Sequence, residues 1–291
     1  MSTTESTPAF TSNDRSDQMD FVEAGTGPLA LLIHSSMAGA HQWSALTRCL
    51  EDDFQFRAVN LFGYGKTPPW AGTKPPTLED FADLVASAVP ETTREINIVG
   101  HSFGGAVAMC LATRLRGRVN RLVLIEPSLF YLLDRCGRYQ AFDEICALEH
   151  DTRRWIAAGM PQLAAERFID YWCGSGAWDA ISPTRRSSIA KSIFLLRNEW
   201  AAILNGSMTP ADLAAALPRN TLVMSSRWTT RPAREIVKVL LDTCSQAEFA
   251  GIPAGGHMAP LTHPHLVNPI IKDFLSPTSI NGQRMNKLWR G

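Results

Sequence analysis

Short apolar runs alternate with stretches of helical periodicity along most of this chain of 291 residues. Between these runs lie helical patterns, one of which begins with a capping box at Thr77 and Asp80. A second has Pro232 at its predicted first position. Strands that alternate with helices form a parallel sheet with both faces covered. The sequence therefore predicts an α/β protein with a doubly wound, mostly parallel sheet, whose strand-like runs are Leu29–Ile33, Phe54–Leu61, Ile96–Val99, Leu122–Ile125, Leu222–Met224 and Ala247–Ile252.

Strand signals stop between residues 130 and 210, where helical periodicity takes over. Because this stretch lies between two strand runs, we predict a helical cap over residues 130–210, inserted into a core made of residues 19–129 and 211–276. Residues 1–18 are predicted to be disordered, and residues 277–291 to form a flexible basic tail. The apolar residues on one predicted helical face of the cap are Ile189, Ile193, Leu196, Trp200 and Ile203.

Composition excludes several function classes. Lys and Arg number 28 and Asp and Glu number 28, so no basic surface for nucleic acid or anionic lipid is expected. No run approaches the roughly 20 apolar residues of a membrane span, and the N-terminus lacks a signal-peptide pattern. Six scattered cysteines without a C-x-x-C pair indicate reduced thiols, no metal site and a cytoplasmic protein. The expected partner is a small molecule, and a homodimer is left open.

The segment with the clearest chemistry is Gly100-His101-Ser102-Phe103-Gly104, which directly follows a strand run and precedes a helical one. This G-x-S-x-G pattern, in a strand–turn–helix context, is typical of a nucleophile elbow. The glycines allow a tight turn that lifts the serine hydroxyl above the sheet. Ser102 is therefore the predicted nucleophile.

A serine hydroxyl needs an adjacent base, and the base is predicted near the end of the chain. Gly255 and Gly256 precede His257, behind the last strand run, so a loop can bring this histidine back over the sheet. His263 and His265 are close by, but they lie at a proline-flanked helix start and are expected at the surface. His257 is the predicted general base.

The acid is not in its usual place, because the loop after Leu222–Met224, where an acid is usually expected, contains no carboxylate. Glu126 ends the buried run Leu122–Ile125, where an unsatisfied carboxylate is costly. Pro127 biases it to an extended conformation at the carboxyl edge of the sheet. From there it can accept a hydrogen bond from His257. The alternative is a structural carboxylate that caps a helix or pairs with an arginine.

Acyl transfer also requires donors for the developing oxyanion. The loop that follows Leu29–Ile33 offers the backbone amide of Ser36, and the elbow offers that of Phe103. His34, in the same loop, is expected to be a hydrogen-bonded structural histidine.

Four segments together resemble the α/β-hydrolase superfamily: His34–Trp43, Asn60–Gly65, Gly100–Gly104 and Gly256–Pro264. The resemblance covers about residues 20 to 276, and it implies an α/β-hydrolase fold with a cap. Three positions depart from the usual pattern, since Ser35 replaces a glycine, Asn60 an aspartate, and Thr229 the acid. Haloalkane dehalogenases and certain lactone hydrolases of the superfamily carry the acid after the strand that follows the elbow, where Glu126 stands. A fold alone does not fix the function.

These observations predict a cofactor-free serine hydrolase that cleaves a carboxylic ester or lactone through Ser102, His257 and Glu126. Two alternatives remain. The first is another serine-dependent reaction of the superfamily, namely carbon–carbon bond hydrolysis, cofactor-free haloperoxidation or a lyase reaction. The second is a non-catalytic small-molecule receptor. The substrate is predicted to be small and largely apolar, in a pocket formed by the cap residues Phe168, Tyr171, Trp172 and Trp178.

Overall fold

The computed structural model describes residues 19–276, and its core is a seven-stranded sheet. The predicted tails, residues 1–18 and 277–291, lie outside the described residues. The strands are β1 Phe21–Ala24, β2 Leu29–Ile33, β3 Gln55–Val59, β4 Ile96–His101, β5 Val119–Ile125, β6 Thr221–Ser226 and β7 Glu248–Ile252.

The strand order across the sheet is β1-β3-β2-β4-β5-β6-β7. All neighbouring pairs are parallel except β1 with β3, which is antiparallel. The central strand β4 pairs with β5 so that His101 lies opposite Ile125. As a result, the turn that follows β4 and the turn that follows β5 leave the sheet side by side.

Helices cover both faces of this sheet. The alternation of side chains along β2 shows how the two faces form: Leu29, Leu31 and Ile33 enter one apolar core, whereas Ala30 and Leu32 enter the other. The α-helices of the described region are α1 Ser44–Leu50, α2 Leu78–Ala86, α3 Phe103–Arg114, α4 Tyr131–Arg135, α5 Tyr139–Ala157, α6 Pro161–Cys173, α7 Pro183–Ser192, α8 Leu196–Leu204, α9 Pro210–Ala216, α10 Arg231–Thr243, α11 Ala259–Thr262 and α12 Pro264–Leu275.

The two faces carry different helices. Helices α2, α3 and α10 pack on the first face, and α1 and α12 pack on the second. The predicted fold class, a doubly wound and mostly parallel sheet, is therefore confirmed. The predicted capping box is also present, since Thr77 and Asp80 exchange hydrogen bonds at the start of α2.

The stretch between β5 and β6 is helical, and the described residues show no strand in it. Helices α4 to α8 fill most of the segment that was predicted to be a cap. The pattern that was predicted to form one helical face at residues 189–203 is interrupted, because a 3₁₀ turn, Ile193–Leu195, separates α7 from α8. Hereafter "the cap" means residues 130–210.

Two details differ from the sequence-based expectation. Strand β1 was not predicted, because it is a four-residue edge strand with no fully buried residue and hence no clear apolar run. Helix α10 begins at Arg231, so Pro232 is its second residue, a position that still tolerates a missing amide hydrogen.

The six parallel strands, β2 to β7, bring the loops that follow them to one edge of the sheet, the edge at which their carboxyl ends meet. Ligands of open α/β sheets bind at this edge. Within residues 19–276, no helix is both long enough and apolar enough to cross a membrane.

Candidate active site

Ser102 stands on a strained turn between β4 and α3. Its backbone has φ 55 and ψ −119, which is costly for a residue with a Cβ atom and persists only when its surroundings hold it. The Ser102 amide donates to the carbonyl of Ile125 at 2.9 Å. A Cβ atom at Gly104 would collide with the carbonyl oxygens of Ile33 and His34. The glycine thus allows α3 to start close against the sheet, as a nucleophile elbow requires.

The structure brings Ser102, His257 and Glu126 into one hydrogen-bonded chain. His257 Nε2 lies 2.7 Å from Ser102 Oγ, and His257 Nδ1 lies 2.6 Å from Glu126 Oε2. All three residues are buried. The protonated Nδ1 donates to the carboxylate, so Nε2 is free to accept the serine proton. The arrangement has the geometry of a nucleophile, a base and an orienting acid.

The Glu126 carboxylate is buried but well satisfied. Its Oε1 accepts the Ser226 amide at 2.6 Å and the Ser225 hydroxyl at 3.4 Å, and its Oε2 accepts the Thr229 hydroxyl at 2.6 Å. These donors belong to β6 and to the loop after it, the loop that lacks an acid of its own. Hydrogen bonds of this kind offset the cost of burying a charge. From the sequence, Thr229 was identified only as the residue that stands where an acid is usual. Its role as a hydrogen-bond donor to Glu126 was not predicted.

His101 is a second histidine at the site, and sequence reasoning gave it no role. Its Nε2–H donates to the carbonyl of His257 at 2.8 Å, and the two rings are 5.1 Å apart. Burial, together with the neighbouring His257, holds the pKa of His101 well below its usual value, so it stays neutral. The one sequence feature that could have indicated a role for His101 was its position within the G-x-S-x-G motif, next to Ser102. His101 positions the backbone of His257.

Two backbone amides were predicted as oxyanion donors, that of Ser36 in the loop after β2 and that of Phe103 at the start of α3. Within residues 19–276, neither the Ser36 amide nor the Phe103 amide donates to a protein acceptor. Two of the positions at which the sequence departs from the family pattern hold this loop. The Ser35 amide and hydroxyl both donate to Gln42 Oε1, at 2.9 and 2.8 Å, and Asn60 Oδ1 accepts the amide of Ala40 at 2.8 Å.

His34 is a structural residue of the same loop, as the sequence predicted. Its Nδ1–H donates to the carbonyl of Ser35 at 2.8 Å, and its Nε2 accepts the amide of Leu61 at 3.2 Å. Burial lowers the pKa of His34 to about 4, a fall that the bond to Ser35 moderates. His34 therefore remains neutral and links the loop to the turn after β3.

A buried carboxylate of the cap is tied to this loop through a tyrosine. The Tyr64 hydroxyl donates to Glu199 Oε1 at 2.6 Å and accepts the amide of Met37, the neighbour of Ser36, at 2.9 Å. Burial raises the pKa of Glu199 to about 6, and the Ser36 and Tyr64 side chains hold the rise down. Glu199, a residue that sequence reasoning missed, lies among the apolar positions of α8.

Of the four cap residues predicted to line a pocket, Trp172 directly contacts the hydrogen-bonded residues Ser102, His257 and Glu126, through His257. Its ring lies 4.1 Å from the ring of His257, tilted by 32°. Tyr171 packs edge-on against Trp172, and its hydroxyl donates to Glu144 at 2.7 Å. Phe168 lies between Trp172 and Trp200.

The fourth, Trp178, is buried beneath the guanidinium of Arg186. For all four of these residues, a place in a substrate pocket stays a prediction. Within residues 19–276, no group of three or more His, Cys, Asp or Glu side chains is arranged to hold a metal ion.

Comparison with known proteins supports the architecture. A sequence profile described as the Alpha/beta hydrolase family matches residues 30–270. A solved thermophilic esterase from Thermogutta terrifontis superposes with a TM-score of 0.65 at 25% identity, over 88% of this chain and 92% of the esterase. An enol-lactonase from Burkholderia xenovorans has a TM-score of 0.64 at 16% identity, over 88% and 96% of the two chains, which shows the fold.

Curated relatives are similar at modest identity. Lipase LipV from Mycobacterium tuberculosis is 27% identical over 87% of this chain and 95% of its own length. A pimeloyl-[acyl-carrier protein] methyl ester esterase from Aromatoleum aromaticum is 39% identical over 101 residues. That match spans 35% of this chain and only 38% of the esterase. A 2-hydroxymuconate semialdehyde hydrolase from Pseudomonas is 24% identical over 87% of this chain and 89% of its own length.

The raised pKa of Glu199 predicts a pH-dependent stability. The folded protein holds this proton more tightly than the unfolded chain does, so the contribution of Glu199 to stability falls as pH rises from about 4.5 through about 6. The rise from 4.5 to about 6 corresponds to roughly 2 kcal/mol.

Urea unfolding of the wild type and Glu199→Gln at pH 4 and pH 7 measures this effect. We expect the stability of the variant, relative to the wild type, to increase by up to about 2 kcal/mol between the two pH values. Equal pH dependence in the two proteins would contradict the assignment.

Proposed function

Since this chain belongs to the α/β-hydrolase family, we propose that it is a serine hydrolase that cleaves a carboxylic ester or lactone by way of an acyl-enzyme. The observation that carries the proposal is the chain of hydrogen bonds from Glu126 through His257 to Ser102, with 2.6 and 2.7 Å between the bonded atoms. Relatives that are named as an esterase and a lipase support the same reaction class.

In the acylation step, Ser102 Oγ attacks the carbonyl carbon of the substrate while its proton passes to His257 Nε2. Glu126 stabilises the imidazolium that forms and keeps the ring in the productive orientation. The carbonyl oxygen becomes an oxyanion, which the amides of Ser36 and Phe103 are free to bind. His257 then returns the proton to the leaving alcohol, and the acyl group remains on Ser102.

In the deacylation step, water takes the place of the alcohol. His257 Nε2 accepts a proton from this water as its oxygen attacks the acyl carbon. The bond between the acyl carbon and Ser102 Oγ then breaks, the electron pair returns to Oγ, and His257 delivers the proton there. The carboxylic acid leaves and the enzyme returns to its starting state. In a lactone the leaving alcohol stays attached to the acyl group, so a hydroxy acid is released.

The surroundings of the site favour a small, largely apolar substrate. The Trp172 ring covers His257, and the ring of Phe130 stacks on Trp172 at a centroid distance of 6.2 Å and an angle of 12°. Ser102 is 6% exposed and His257 is 2% exposed. An aromatic wall of this kind binds apolar groups.

Carbon–carbon bond hydrolysis is a second candidate, because a relative that matches most of the chain is named as a 2-hydroxymuconate semialdehyde hydrolase. Such a reaction uses the same serine and histidine on a carbon leaving group. A panel that pairs simple esters and lactones with 2-hydroxymuconate semialdehyde separates the two functions. We expect turnover of the esters or lactones and none of the semialdehyde.

Replacement of the nucleophile tests the proposed reaction. Ser102→Ala removes the attacking oxygen, so hydrolysis of p-nitrophenyl esters should fall by several orders of magnitude. Thermal unfolding should stay cooperative. Ser187→Ala, which removes an exposed cap hydroxyl, is the control and should retain full activity. Activity that survives in a folded Ser102→Ala variant would overturn the proposed mechanism.

The unusual place of the acid gives a second test. Glu126→Gln should lower kcat by orders of magnitude, because the imidazole loses its orienting charge. Thr229 Oγ1 lies 2.6 Å from the Glu126 oxygen that binds His257, so an aspartate at 229 has a short path to the same ring nitrogen. Adding Thr229→Asp to Glu126→Gln should therefore restore at least about tenfold in kcat. Near-wild-type kcat for Glu126→Gln alone would show that the acid is assigned wrongly.

A further inference from the structure

A second buried hydroxyl faces the nucleophile. Ser128 follows Glu126 and Pro127 in the turn after β5 and is 2% exposed. Its Oγ lies 3.1 Å from Ser102 Oγ. Within residues 19–276, no other hydrogen-bond partner of this hydroxyl is found.

The backbone fixes this contact. The Ser128 amide donates to the carbonyl of Ser102 at 3.0 Å, and the Ser102 amide donates to the carbonyl of Ile125 at 2.9 Å. Two main-chain bonds thus join the turn after β4 to the turn after β5. A Cβ atom at Gly105 would approach Pro127 to 2.9 Å, so the absence of a side chain at Gly105 lets the two turns approach closely. The same short segment supplies both the acid and this second hydroxyl.

The positions of the protons determine which of the two serines donates the hydrogen bond between them. Neutral His257 carries its proton on Nδ1, which donates to Glu126, so Nε2 is an acceptor. Ser102 has a single proton, and that proton is donated to Nε2 at 2.7 Å. The hydrogen bond between the two serines must therefore be donated by Ser128 and accepted by Ser102 Oγ.

We propose that Ser128 is a further catalytic residue, whose hydroxyl stabilises negative charge on Ser102 Oγ when that oxygen leaves the acyl group in deacylation. The proposal rests on the proposed serine hydrolase function. The Ser128 proton stays on Ser128 throughout. The bond that breaks is the one between the acyl carbon and Ser102 Oγ, the electron pair returns to Oγ, and the proton that Oγ receives comes from His257.

The hydrogen bond from Ser128 lowers the barrier to deacylation more than it lowers the barrier to acylation. A donor accelerates a step only when it binds the transition state more strongly than the ground state. Before acylation, the Ser102 hydroxyl oxygen already accepts the bond from Ser128, so part of the stabilisation is present in the ground state. In the acyl-enzyme, Oγ is an ester oxygen and a poor acceptor, so nearly all of the stabilisation appears only as Oγ leaves. Loss of the Ser128 hydroxyl should therefore slow deacylation more than acylation.

Steady-state kinetics with p-nitrophenyl acetate separate the two steps. Its activated leaving group makes deacylation limit kcat, whereas kcat/KM reports acylation. Ser128→Ala should lower kcat by at least about tenfold, the loss expected for a hydrogen bond to a charged oxygen, and lower KM with it. Its kcat/KM should change less than about threefold. At p-nitrophenyl acetate concentrations below the wild-type KM, intact mass of acid-quenched reactions should show a larger acetylated fraction of Ser128→Ala than of wild type.

Further variants control for a structural effect. Ser128→Thr keeps the hydroxyl and should recover most of kcat. Ser128→Cys keeps the size with a weaker donor, should change kcat in the same direction as Ser128→Ala, and serves if the alanine variant fails to fold. Thr152→Val removes a buried hydroxyl that bonds only within α5 and should leave both constants unchanged.

Failure of the proposed role of Ser128 can be distinguished from failure of the proposed serine hydrolase function. Equal falls in kcat and kcat/KM, or no change in either for a folded Ser128 variant, would overturn the role of Ser128 while an inactive Ser102→Ala leaves the proposed function standing. An active Ser102→Ala would instead overturn the proposed function itself.

Discussion

One buried carboxylate connects three strands at the site. Glu126 follows β5, accepts hydrogen bonds from residues of β6 and its loop, and accepts another from His257 in the loop after β7. A carboxylate at 1% exposure is costly without such partners. Because each partner comes from a different part of the chain, the bonds that stabilise the charge also fix the distance from His257 to Ser102. The orientation of the His257 ring is thus a consequence of satisfying the Glu126 carboxylate with hydrogen bonds.

Backbone strain is found in the turns that carry the site. Among the described residues, the non-glycine positions with positive φ are Met37, Ser102 and Glu126. The φ of 45 at Glu126 shows that the extended conformation expected from Pro127 is wrong. Each costs roughly 1–3 kcal/mol and persists only where the surrounding structure holds it. Ser102 and Glu126 are held by amide–carbonyl bonds to neighbouring strands, and Met37 by the Tyr64 hydroxyl. The strain therefore lies at Ser102 and Glu126 themselves and at Met37, which is next to the proposed oxyanion donor Ser36.

Much of this could be predicted from the sequence, because its signals are local. The strand runs, the elbow at Ser102 and the glycines before His257 each depend on a few adjacent residues. Glu126 was found because a carboxylate at the end of an apolar run is unusual. Contacts between distant segments gave no such signal. Ser128 meets Ser102 across 26 residues and Glu199 meets Tyr64 across 135, and neither pairing follows from the pattern around either residue.

The central claim is that Ser102 is an activated nucleophile, and a mechanism-based label tests it without knowledge of the substrate. Intact mass spectrometry after incubation with a small fluorophosphonate compares the wild type with Ser102→Ala. We expect one adduct on each wild-type molecule and none on the variant, since the phosphonyl group is transferred to an oxygen that His257 deprotonates. Equal labelling of the variant, or no labelling of folded wild type, would contradict it.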